Sequence, residues 1–174
     1  MRLLKVIIAT LVTLMMGCSA DIESYQKVEP QFELFDFFNG QTRAWGMVQD
    51  YTDQQTRRFT VEIVGTVEGD TLTLVEDFVF DDGEIDQRVW VITHDGNGFY
   101  EGEAGDIIGK ARGQEVGNAL QWQYDFELKL DGSSVVVSFD DWLYRQDENH
   151  VFNLTKIKKF GVEVGRITLF FEKQ

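Results

Sequence analysis

Residues 119–131, ALQWQYDFELKLD, alternate without a break. Leu120, Trp122, Tyr124, Phe126, Leu128 and Leu130 fall on one face, and Gln121, Gln123, Asp125, Glu127, Lys129 and Asp131 on the other. A repeat of two residues is the signature of a strand with one face in a core. Asp131-Gly132 is a two-residue hairpin signal, and residues 133–144 return as the partner strand.

The same period extends outward from this hairpin. Phe59, Val61 and Ile63 alternate with Arg58, Thr60 and Glu62, and Leu72, Leu74, Phe78 and Phe80 with Thr71, Thr73, Asp77 and Asp81. Residues 166–172 close the chain as another aromatic strand. Turn signals stand at Gly69-Asp70, Asp82-Gly83, Gly96-Asn97-Gly98 and residues 146–149. About eight to ten consecutive strands on short turns, with no helical period, predict an all-β, up-and-down antiparallel meander. Closure into one barrel removes exposed edges. A short helical turn over 35–39 is expected to plug one end. Spanning the outer membrane would need apolar outward faces. Arg58, Glu62, Gln121 and Glu127 stand there instead, so the barrel is expected to be apolar inside.

The N-terminus carries an address. Arg2 and Lys5 precede an apolar run over 6–16, too short to span a bilayer, and Gly17 and Cys18 follow. This layout predicts a lipoprotein signal over 1–17, with Cys18 acylated as the new N-terminus. Met15 holds the place where a typical lipobox has leucine. Two or more acyl chains anchor durably, where one does not. Asp is the usual signal for inner-membrane retention, and Ser19 stands in its place. An outer-membrane anchor facing the periplasm is therefore expected. Residues 18–31, polar and holding the only proline, Pro30, read as the lipidated start and a tether. Residues 32–174 read as the barrel domain.

A formal net charge of −14 argues against nucleic acid, whose binding needs a basic face. Cys18 is the only cysteine, so no disulfide can form within the chain and the fold rests on packing.

Several motifs in order carry a resemblance. They are Phe37-Phe38-Asn39-Gly40, Ala44-Trp45-Gly46, Glu76-Asp77-Phe78 with Asp81-Asp82-Gly83, Arg88-Val89-Trp90, Gly117-Asn118-Ala119-Leu120, Phe139-Asp140-Asp141-Trp142, Asn153, and the ending from Phe160-Gly161 to Phe171. Together they resemble an uncharacterised family of proteobacterial lipoproteins, domain of unknown function 3833, across the mature domain. That family implies no activity. More loosely, the aromatic-rich meander resembles the calycin, lipocalin-like group of ligand-binding barrels. The lipocalin Gly-x-Trp signature is absent, since Gly40 lies well before Trp45.

Polar residues in phase with the core are the candidate site. Glu76 shares its face with Leu74 and Phe78. A three-residue loop with Gly83 in the left-handed region pairs Phe80 with Glu84, Glu76 with Arg88 and Leu74 with Trp90. A two-residue turn would put Arg88 opposite Asp77 on the outer face. The first register is preferred, because it gives an inward carboxylate a partner. The Asp131-Gly132 turn sets Trp122 opposite Asp141 and Tyr124 opposite Phe139. Asp141 then points inward, towards an indole or phenol, with Asp140 and Trp142 outward. Glu76 and Arg88 read either as an anchor for a ligand headgroup or as a structural ion pair.

Other chemistry finds no support. His94 and His150 fall near turns and read as exposed. No Cys/His cluster suits a metal, and no nucleophile elbow occurs. Gly102, Gly105, Gly109, Gly113 and Gly117 match no nucleotide fingerprint and read as bulges and bends.

The expected function is binding, without catalysis, cofactor or metal. A membrane-anchored barrel would hold a small amphipathic or lipidic molecule in the periplasm through Glu76, Arg88, Trp90, Trp122, Tyr124, Phe139 and Asp141. The alternative is a structural or interaction lipoprotein whose barrel is filled by its own side chains.

Overall fold

A computed structural model describes residues 20–130 and 132–174, with the Leu130 side chain left out. The leader and Cys18 lie outside the described residues. Ten strands follow one another: β1 (Gly40–Asp50), β2 (Gln55–Glu68), β3 (Thr71–Phe80), β4 (Ile85–His94), β5 (Phe99–Glu103), β6 (Ile107–Val116), β7 (Ala119–Leu130), β8 (Ser133–Arg145), β9 (His150–Lys159) and β10 (Val162–Lys173). Each pairs antiparallel with its neighbours in sequence, and β1 pairs with β10, from Thr42–Lys173 to Asp50–Gly165. The result is a closed up-and-down barrel, the solution that leaves no edge unpaired.

Both predicted hairpin registers are present. Gly83 has φ 89° and donates to the Phe80 carbonyl, while the Phe80 amide donates to the Glu84 carbonyl at 2.9 Å. That three-residue loop sets Glu76 opposite Arg88 and Leu74 opposite Trp90. In β7–β8, Trp122 pairs with Asp141 and Tyr124 with Phe139.

The two ends of the barrel differ. A short helix, α1 (Leu34–Phe38), lies across one end and buries Leu34, Phe37 and Phe38. The expected plug thus begins one residue earlier than the sequence suggests. Its ends are clamped by the wall. The Glu115 carboxylate accepts from the Leu34 amide at 3.0 Å and from the Tyr100 hydroxyl at 2.9 Å. Lys173 Nζ donates to the carbonyls of Asp36, Phe37 and Asn39. These are C-terminal carbonyls that a helix leaves without partners. Phe32, Leu72, Leu120 and Val151 are fully buried beneath α1 or beside it, and each such side chain stabilises by about 1.5–3 kcal/mol. Among the described residues no helix covers the opposite end, the mouth, where the β1–β2, β3–β4, β5–β6, β7–β8 and β9–β10 turns gather.

The expected tether is docked where it is described. Asp21 caps a 3-10 helix, Ile22–Tyr25, whose Ile22 is buried against Ala119 and Trp142. Gln114 donates to Glu23 at 2.9 Å, Arg145 to the Gln31 carbonyl at 3.0 Å, and the Phe32 amide to the Gly117 carbonyl at 2.7 Å. Trp142 does point outward, but this segment covers it, so it is buried at 5% exposure. Asp140 is buried too, held by Gln121, Gln123 and Lys158. Burial works to raise its pKa, yet those bonds outweigh it and hold it below the ordinary value.

The glycine series serves packing as much as bending. Gly102 and Gly113 face inward, and the Trp122 indole occupies the space where a Cβ would stand at either. Gly109, with φ 70°, lies at the β6 irregularity opposite β7.

Candidate functional site

A cavity of about 400 Å³ occupies the barrel, lined from Leu34 and Phe38 of α1 at one end to Phe80 and Leu128 towards the mouth. It falls in the size range of small-molecule sites. Glu76, Arg88, Trp90, Trp122, Tyr124, Phe139 and Asp141 all line it. Their strands bring them together from β3, β4, β7 and β8 by inward alternation alone. Cys18 lies outside the described residues.

The walls are aromatic. Trp90 meets Trp122 and Tyr124 edge-on, with ring centroids 5.6 and 5.3 Å apart. Tyr124 and Phe126 pack on Phe139 at 5.1 and 5.3 Å. Towards the mouth, Phe78 and Phe80 are stacked, and the Arg57 guanidinium lies 3.6 Å over Phe80. Such rings present broad apolar surface, and the arginine adds cation–π attraction.

The polar groups are arranged differently from the expected ion pair. Arg88 stands opposite Glu76 in register, but its guanidinium bonds elsewhere. Nε donates to Asp106 Oδ2 at 2.8 Å and Nη2 at 2.6 Å. Asp106 sits in the β5–β6 turn, where no periodic signal could place it. Both nitrogens reach the same oxygen, and Asp106 Oδ1 is left buried without a partner. Arg88 also lies between Phe78 and Phe126, 5.7 and 5.5 Å from their centroids. Glu76 is left with no hydrogen-bond or ion-pair contact among the described residues. Burial pushes its pKa up to about 7, and Arg88 only partly opposes the shift.

Asp141 is likewise pushed up to about 7 by burial. The expected phenol is there in Tyr124, but the hydroxyl that donates to Oδ1 is that of Thr155 on β9, and no indole takes part. Thr155 in turn bonds Asn153, and the Tyr124 phenol also favours the charged carboxyl. Burial raises the Tyr124 phenol well above its ordinary value. Asn153 and Thr155 are cavity residues that the sequence analysis did not assign. They lie in phase with Val151 and Ile157, the same signal that exposed Glu76.

A more open hollow of about 530 Å³ lies on the outer wall by Trp45, Met47 and Phe170. Its charged groups, Arg58 and Asp81, bond one another at 3.2 Å, so nothing unpartnered points into it. His94 and His150 are half-buried at strand ends rather than exposed. His94 packs on Phe35, and His150 bonds Asp147 and stacks on Phe170. No cluster of His, Cys, Asp and Glu suited to a metal occurs among the described residues.

Comparison with known proteins agrees with the fold. A family model described as a protein of unknown function (DUF3833) matches residues 12–173. No curated protein matches the chain. Among solved structures, the S-type phycobiliprotein lyase of Guillardia theta is similar, with a TM-score of 0.58 at 10% identity. The match covers 89% of this chain and 99% of that one. At that identity the likeness concerns the fold, a calycin-like barrel.

Proposed function

For this chain, which belongs to the DUF3833 family of proteins of unknown function, we propose the role of a non-covalent carrier or sensor. It holds a small amphipathic molecule inside the barrel. The observation that carries this reading is the cavity itself. A barrel of this size can be filled by its own side chains, yet this one keeps about 400 Å³ between aromatic walls and a few convergent polar groups. That space favours the carrier over the filled-barrel alternative. The lipoprotein-like leader before Cys18 supports an anchored protein of the outer membrane facing the periplasm.

The test is native mass spectrometry of the full-length chain, released from expressing cells in mild detergent. A co-purifying mass lost on denaturation is expected. Glu76→Gln should reduce that mass several-fold while the barrel stays folded. Equal capture by variant and parent would remove Glu76 from the site. A clean ligand-free mass, unchanged after incubation with envelope lipid extract, would overturn the carrier reading. Labelled palmitate should enter the parent and not Cys18→Ser.

A catalytic reading has one observation in its favour. Glu76 and Asp141 line one cavity, each pushed up to about 7, as groups that donate and accept protons near neutrality are. The similar barrel is itself named a lyase. Under this reading the mass recovered from a Glu76→Gln, Asp141→Asn double variant would differ from the parent's, because unconverted substrate would be retained.

A further inference from the structure

Charge inside the cavity does not balance. Two carboxyls line it, Glu76 from β3 and Asp141 from β8. Its one lining cation, Arg88, is engaged by Asp106 through two nitrogens. Asp106 therefore already matches the positive charge of Arg88, although N–H donors of its guanidinium remain. Glu76 has no donor among the described residues, and Asp141 is met by neutral hydroxyls alone, Thr155 and the Tyr124 phenol.

Building on the carrier reading above, we propose that the ligand is a cationic amphiphile, an apolar body bearing a protonated amine that seats against Glu76 and Asp141. An ammonium group brings three donors and no acceptor, and ionised carboxylates are acceptors only. In an apolar cavity an unpaired charge is costly, whereas charge-assisted bonds across a matched pair are strong. A fatty-acid headgroup would meet two carboxyls that become like charges as they ionise, beside an Arg88 whose charge Asp106 already matches. The charged or titratable groups acting on the two carboxyls are Arg88 on β4, Asp106 in the β5–β6 turn, Tyr124 on β7 and Asp140 on β8. Because burial has pushed both carboxyls up to about 7, an arriving cation ionises them and protons leave. Amine binding therefore strengthens as pH rises from 6 to 8.

Three probes with one tail and different heads test this: dodecylamine, dodecanol and laurate. Binding to the full-length protein is followed by quenching of tryptophan fluorescence and by calorimetry. The expected order at pH 7.5 is amine, then alcohol, then laurate, with the amine about tenfold or more ahead of the alcohol. The acidic exterior also attracts amines, so the Glu76→Gln, Asp141→Asn double variant, which keeps that exterior, supplies the baseline. It should stay folded by far-ultraviolet circular dichroism and lose both the amine preference over dodecanol and the pH dependence; an amine preference that survives in it overturns the assignment. Laurate binding tightest, or all three binding equally, overturns the headgroup assignment and leaves the carrier reading standing. If none of the three binds to folded protein, both fall.

Discussion

At Glu76 and Asp141 the barrel holds two carboxyls whose ordinary values, 4.5 and 3.8, are pushed up to about 7. Between those limits the unfolded chain has released protons that the folded chain still holds. Stability from these groups therefore falls as pH rises through that window and levels off above it. Glu76→Gln and Asp141→Asn should each stabilise the ligand-free barrel at pH 8 by about 1–3 kcal/mol and change little at pH 4. Urea unfolding at the two pH values checks this. Destabilisation by either variant at pH 8 would mean that the carboxyl is held charged by hydrogen bonds. Both residues were legible because each is a lone polar group in phase with apolar neighbours. Asn153 and Thr155 carried the same mark. Asp106 did not, since a turn residue has no phase, and so the true partner of Arg88 was invisible.

Among the elements, the β3–β4 hairpin decides whether Arg88 faces the cavity. One residue fewer in its loop would turn Arg88 to the outer wall. Gly83, at φ 89°, permits the longer loop. Gly83→Ala should cost about 1–2 kcal/mol, read from the urea midpoint. Helix α1 is too short to hold itself together and depends on its clamps. Lys173→Met removes three hydrogen bonds to its last carbonyls, and amide exchange at 34–38 should quicken markedly while mid-strand amides keep their protection. Gly113 belongs to this scale too. Its missing side chain lets Trp122 reach across from β7, so Gly113→Val should cost about 1–3 kcal/mol in denaturant unfolding and shift the tryptophan emission. In the sequence the regular glycine spacing drew attention to turns. The contact that explains Gly102 and Gly113 is with an indole on another strand.

For the whole molecule, the main asymmetry is one end closed by α1 and an opposite end that no helix covers among the described residues. The N-terminal segment runs along the outer wall by β6, β7 and β8 and buries Ile22 at 8% exposure. If Cys18 carries the proposed anchor, few residues remain free between lipid and barrel, and the domain is held close to the membrane rather than on a long leash. Ile22→Asp should release the segment. Hydrogen exchange at 22–31 would rise and the far-ultraviolet spectrum of the barrel would persist. Unchanged protection there would show that the polar contacts of Glu23, Gln31 and Phe32 suffice. Average composition hid this docking, because Ile22 and Tyr25, the residues that dock, are outnumbered by polar neighbours.

Sequence alone determined the strands, the meander, the β7–β8 register and most of the side chains that turn inward, and it narrowed β3–β4 to two registers. All of these follow from a period of two and from turn chemistry, which are local along the chain. Tertiary structure decided that the barrel closes with a cavity, that Arg88 bonds Asp106 rather than Glu76, and that the tether lies on the wall. Those outcomes depend on distances between residues far apart in sequence and on which of several partners reaches a buried charge with the better geometry. No pattern along one strand encodes either.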